Sequence, residues 1–233
     1  MFSMGYMVII GVTTLAGFLL SSRLKSKFNK YSKMANSSGK SGAEIAMDML
    51  SHYGISDVKV VQGQGFLTDH YNPRSKTIAL SPEVFQGRSV SAAAVSAHEC
   101  GHAVQHARAY SMLKLRSTLV PAVQISSRLQ QFLFMGFMFG GALMGSGAIG
   151  NIFLMLLVAT FGIAALFSFI TLPVEFDASR RALTWLDETG TTHGAEYEGA
   201  KDALWWAAMT YVSAAMSALV MFLYFALQLL GRE

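Results

Sequence analysis

From Leu129 to Val174 the sequence runs through 46 consecutive residues without one Asp, Glu, Lys, Arg or His. A helix of about 20 apolar residues crosses a bilayer, so this stretch fits two crossings. It is far too long for one buried helix of a soluble core. The run Gly145–Asn151 (GSGAIGN) supplies a tight turn between the two. Residues 1–22 and 203–231 are also free of charge. In the last stretch, Trp205, Trp206 and Tyr211 are placed to anchor at a membrane interface. The chain has 233 residues, 52% of them hydrophobic and 14% charged. An average soluble domain carries about 25% charged residues. So apolar a chain is excluded from the disordered class, which needs high charge and low hydrophobicity.

Charge placement orients the spans. Of 18 Lys and Arg, 14 fall between Arg23 and Arg128. The first apolar stretch has no basic residue before it and is followed by Arg23, Lys25, Lys27, Lys30 and Lys33. That polarity fits a retained anchor rather than a cleaved signal peptide. Beside apolar segments, a basic region reads as a cytoplasmic loop obeying the positive-inside rule, not as a nucleic-acid surface. The expected order is therefore a transmembrane helix over residues 1–22 and a cytoplasmic region over 23–128. A transmembrane hairpin over 129–174, a cytoplasmic segment over 175–202, and a fourth span with a short tail over 203–233 follow. This order keeps 17 of the 18 basic residues inside.

Within the cytoplasmic region, residues 23–40 read as a juxtamembrane stretch and linker that touches anionic lipid. Residues 41–53 have helical spacing of apolar residues, with Gly54 as a stop. Val58–Val61 and Thr77–Leu80 are short strands, the second a candidate edge strand for pairing with an extended peptide. Asp69–Ser75 (DHYNPRS) signals turns, and a longer helix is predicted from about Ser89 to Ala109. The single cysteine, Cys100, excludes an intramolecular disulfide and a cysteine zinc cluster; it reads as a small packing residue.

The predicted longer helix carries His98-Glu99-Cys100-Gly101-His102, an H-E-x-x-H pattern. Positions i and i+4 share one helix face, so both imidazoles can reach one metal ion. Glu99, next to the first of them, can take a proton from an activated water. The flanks are apolar, and burying two His and a Glu there without a metal would be costly. A catalytic zinc site needs a third protein ligand and an open position. His106 lies about 12 Å along the helix from His98 and cannot share its ion. Glu175 is the better candidate. Two membrane crossings separate it from His98, so both fall on the same side, and Pro173 would start a new helix carrying Glu175 and Asp177 in its first turn.

These two segments, HECGHAVQHA and LPVEFDASRRAL, resemble the bacterial YugP-type neutral zinc metallopeptidases of the membrane, and the resemblance spans nearly the whole chain. It implies a gluzincin-type site with His98, His102 and Glu175 as Zn2+ ligands and Glu99 as catalytic base. The pattern is also similar to the HtpX heat-shock proteases and the CAAX prenyl proteases. There an aspartate four residues after the glutamate orients a ligand histidine. Here that position is Ser179, and Asp177 at plus two is the candidate for the role. His193 and Tyr197, with Arg180 and Arg181, are candidates for stabilising an oxyanion.

The fold expected is thus mostly α: an integral membrane protein with about four transmembrane helices and a small α+β cytoplasmic zincin-like part. The function expected is that of a zinc-dependent endopeptidase of the cell membrane, cleaving peptide or protein substrates at the cytoplasmic side. The alternative is a non-proteolytic membrane scaffold with a structural metal site, which would have no use for Glu99. An ion transporter would place ionisable groups inside the spans, and these stretches have none. Gly136, Gly140 and Gly141 suit close helix packing, within the chain, in a homo-oligomer or against a regulatory membrane partner.

Overall fold

The structure, a computed structural model, describes residues 4–140 and 147–231. The expected turn at Gly145–Asn151 falls partly outside these residues, as does Gly141; Gly136 and Gly140 lie on a helix. The described elements run α1 (Met4–Tyr31), α2 (Gly42–His52), β1 (Lys59–Gln62), β2 (His70–Asn72), β3 (Thr77–Leu80), α3 (Pro82–Phe85), α4 (Val90–Ala107), α5 (Ser111–Gly140), α6 (Gly147–Glu188) and α7 (Ala195–Leu230). The chain is mostly helical, with one small sheet. Among the described residues, three helices, α1, α6 and α7, are long and apolar enough to cross a membrane.

The chain forms two compact units. One gathers the described residues of 1–19, 115–172 and 210–233. Its core is aromatic and aliphatic: Tyr6, Phe153, Leu157, Met221 and Phe225, with the Phe161 and Phe225 rings stacked at 5.3 Å. The other unit gathers residues 20–114 and 173–209. Its core is drawn from α2, α4 and the sheet, joined by parts of α1, α6 and α7. Ile45, Met49, Ile78, Leu80, Val104 and Leu186 are almost wholly buried there, each contributing roughly 1.5–3 kcal/mol.

Local sequence explains most of the second unit. Ser41 and Glu44 form a capping box at the start of α2: Ser41 Oγ accepts from the Glu44 N–H at 3.3 Å, and Glu44 Oε2 accepts from the Ser41 N–H at 2.6 Å. Gly54, at φ +69°, takes the left-handed conformation that ends the helix. Ser89 caps α4 from one side only, its hydroxyl accepting from the Ala92 N–H.

Four expectations are corrected. The basic stretch after Ser22 is not all linker. α1 continues to Tyr31, because Leu24, Phe28 and Tyr31 keep helical spacing and Phe28 and Tyr31 are buried. Residues 70–72, expected as turn, form β2, which pairs antiparallel with β3. Thr77–Leu80 is therefore no edge strand. The sheet order is β1-β3-β2, with β1 parallel to β3, so both sides of β3 are taken. Pro173 does not begin a helix. α6 passes through it without a break, giving up only the bond that an N–H there would make to the Phe169 carbonyl.

Candidate metal centre

α4 brings small residues to the faces it buries, among them Ala93, Ala94, Ala97 and Ala103. At Gly101 the backbone of α6 comes close. A Cβ there would stand 2.5 Å from the Ala178 carbonyl oxygen and 3.0 Å from its Cα. Backbone lies against backbone, so only glycine fits, and Glu175, about one turn before Ala178, is thereby delivered to the two histidines. Gly101→Ala is expected to push α6 away and to destabilise the fold by about 1–3 kcal/mol, the usual cost of overpacking. The thermal midpoint of the detergent-solubilised chain would show it; an unchanged midpoint would contradict this account of the contact.

His98 and His102 face Glu175 with the same ring atom. Their Nε2 atoms lie 3.3 and 3.4 Å from Glu175 Oε2. One potential ligand atom from each of the three residues falls within 4.8 Å of the others. The two rings stand nearly perpendicular, with centroids 4.8 Å apart. Glu175 is 2% exposed, and His102 and Glu99 are buried as well. The far nitrogens are also engaged: His98 Nδ1 lies 3.1 Å from Ser179 Oγ, and His102 Nδ1 lies 3.0 Å from Gln105 Oε1.

The family described as "Putative neutral zinc metallopeptidase" matches residues 6–230. The chain belongs to this family. It is 42% identical over 213 residues to "Putative membrane protease YugP" of Bacillus subtilis (strain 168), covering 91% of each chain. No solved structure matches it.

The donor set fits the metal of a zinc peptidase family. Ligand atoms held about 2.0–2.1 Å from a tetrahedral zinc stand about 3.3–3.4 Å apart. Those are the separations between Glu175 Oε2 and the two Nε2 atoms. Two neutral nitrogens and one carboxylate oxygen are also the donors of a catalytic zinc site with a position left open. The local electrostatics favour cationic charge. Burial alone would push the His102 pKa down, but the Glu175 carboxylate, with Glu99 and Gln105, outweighs burial and raises it.

The remaining residues divide by position. Cys100 is fully buried and turned toward α2, where its thiol donates to the Ala46 carbonyl at 3.4 Å. Burial, and then the charge of Glu99, push its pKa well up, which makes it a packing residue rather than a nucleophile. His106 bonds the Tyr71 hydroxyl through Nδ1 at 2.7 Å. His193 is exposed and lies against Gly190. Tyr197 and Arg180 line a cavity of about 280 Å³ together with Phe176, Ser179 and Trp205. Arg181 and Arg180 both hold the Asp177 carboxylate. Asp177 also accepts from Gln105, which stands between it and His102. The sequence reading passed over Gln105. Its one signal was the spacing of three from His102, which puts both on one helix face.

Proposed function

We propose that this protein is a membrane zinc endopeptidase in which His98, His102 and Glu175 hold the ion and Glu99 is the general base. The observation that carries the reading is the convergence of both Nε2 atoms on one buried carboxylate oxygen. Zinc bound there supplies a Lewis acid that polarises a scissile carbonyl and lowers the pKa of water. Glu99, adjacent to the first ligand, takes the proton of the attacking water. It then delivers that proton to the amide nitrogen of the leaving group as the C–N bond breaks. A structural metal site would have no use for a buried carboxylate in that position. Asp177 acts on His102 from the side away from Glu175. Tyr197 is the group we assign to the oxyanion, supported by the cavity it shares with Ser179, the partner of His98.

The reading includes four spans, with α5 and α6 forming the hairpin over residues 129–174 and residues 23–128 and 175–202 on the cytoplasmic side. The uncharged run of 46 residues and the crowding of basic residues between Arg23 and Arg128 support it. Peptide or protein substrates would then be cleaved at the cytoplasmic face of the cell membrane.

Metal removal tests the reaction class. A chelator is expected to abolish cleavage of a peptide library by the detergent-solubilised chain, and about one equivalent of zinc should restore it. Cleavage that survives chelation would rule out a zinc-dependent reaction.

A further inference from the structure

Gln105 is wholly buried, and the reaction outlined above does not use it. An amide is costly to bury unless each of its groups has a partner. Here each has. Nε2 donates to the Val174 carbonyl at 2.8 Å and to Asp177 Oδ2 at 2.9 Å, and Oε1 lies 3.0 Å from His102 Nδ1.

The partners decide which end of the amide is which. A backbone carbonyl and a carboxylate only accept, so the amide nitrogen must face them. The amide oxygen then faces His102, and it too only accepts. His102 Nδ1 must therefore carry a hydrogen. With a metal on Nε2, the atom that faces Glu175, Nδ1 keeps that hydrogen; without one, the Glu175 carboxylate at 3.4 Å is a second acceptor and draws a hydrogen to Nε2. A reversed amide would press its oxygen against two other oxygens. His98 has no comparable constraint. Ser179 Oγ both donates and accepts, so the hydroxyl follows the tautomer of His98 and does not set it.

We infer that Gln105 is a positioning residue that fixes the tautomer and ring orientation of His102, and that Asp177 acts through it. The inference rests on the reading of His102 as a zinc ligand. Asp177 is itself clamped by Arg180 and by Arg181 Nε, the latter at 2.6 Å. Its charge keeps the Gln105 amide polarised toward His102. α6 thus acts on both nitrogens of one ring. It offers Glu175 to Nε2 directly and, two residues on, Asp177 to Nδ1 through the amide. A hydrogen-bond acceptor on the far nitrogen raises the basicity of the ligating one. The functional pattern on α4 accordingly extends past the second histidine, from His98 to Gln105.

The test has two arms on the full chain in detergent. In the first, the ¹⁵N-histidine spectrum of the zinc-loaded protein is recorded, with the His102 signal identified by its loss in His102→Ala. An Nδ1–H protected from exchange is expected in the wild type, and loss of that protection in Gln105→Met. In the second, zinc affinity is measured by competition with a coloured chelator. Gln105→Met should bind about 10–100-fold more weakly, and Ser179→Ala should lose much less. The unfolding temperature of metal-free Gln105→Met shows whether that variant is folded; the wild-type tautomer needs no variant. A His102 Nδ1 without that protected hydrogen in the zinc-loaded wild type would overturn the inference. So would wild-type-like zinc affinity in folded Gln105→Met, or an equal loss in Ser179→Ala. If the wild type binds no zinc, the metal reading fails by itself; a protected Nδ1 proton at His102 in the metal-free chain, with or without one on Nε2, then supports the role of Gln105, and its absence overturns it.

Discussion

Glu99→Gln is expected to lower peptide hydrolysis by about 10²–10⁴-fold, the usual contribution of a positioned general base. That is roughly 3–5 kcal/mol of transition-state stabilisation. The substitution keeps side-chain volume and removes only basicity, so packing around the buried residue should hold. Zinc content should stay at the wild-type ratio, because Glu99 is outside the His98, His102 and Glu175 group. Measuring kcat/KM and metal content on the same preparation separates the possibilities. Full activity in the variant would remove Glu99 from the mechanism. Loss of zinc along with activity would recast it as a structural support of the ligands.

How much of this the sequence disclosed depends on how local each signal is. The pair His98 and His102 needs only one helix, and an Ala-rich apolar segment with Ser89 before it announces that helix. The capping box of Ser41 and Glu44 is equally local. Glu175 was reachable because the uncharged run between it and His98 is long enough for two crossings, from which the sequence reading expected both residues on the same side. β2 was missed because it is three residues long and its signals are overrun by Asn72, its last residue, and by Pro73 in the turn after it. Pro173 misled in the opposite way: a lone proline costs one hydrogen bond, and the apolar segment before it continues helical regardless. The need for glycine at position 101 could not be read at all. It arises from the Ala178 backbone, 77 positions away in sequence. Gln105 was hidden for a related reason. A neutral amide on a helix carries no chemical signal until Val174 and Asp177 are seen around it.

The second large effect is expected from Glu175→Ala. Among the described residues its carboxylate faces both Nε2 atoms, and it comes from a different helix than either histidine. Losing a group that merely supports a ligand costs about 10–100-fold in metal affinity, so losing a ligand itself should cost more. Zinc should fall from about one per chain to well below that after detergent purification, and peptide cleavage should fall with it. Alanine also leaves a void in a buried site, which could lower zinc by loosening α6 against α4. Glu175→Gln separates the two causes, since it fills the space but supplies a neutral, weaker donor. Zinc lost from both variants, with metal-free unfolding temperatures near the wild type, assigns the loss to ligation. Zinc retained in Glu175→Gln and lost in Glu175→Ala assigns it to packing. Wild-type zinc in both would move the third ligand elsewhere, with Asp177 the nearest carboxylate on α6. That outcome would also break the two-sided grip on His102, because Asp177 cannot both ligate the ion and anchor Gln105.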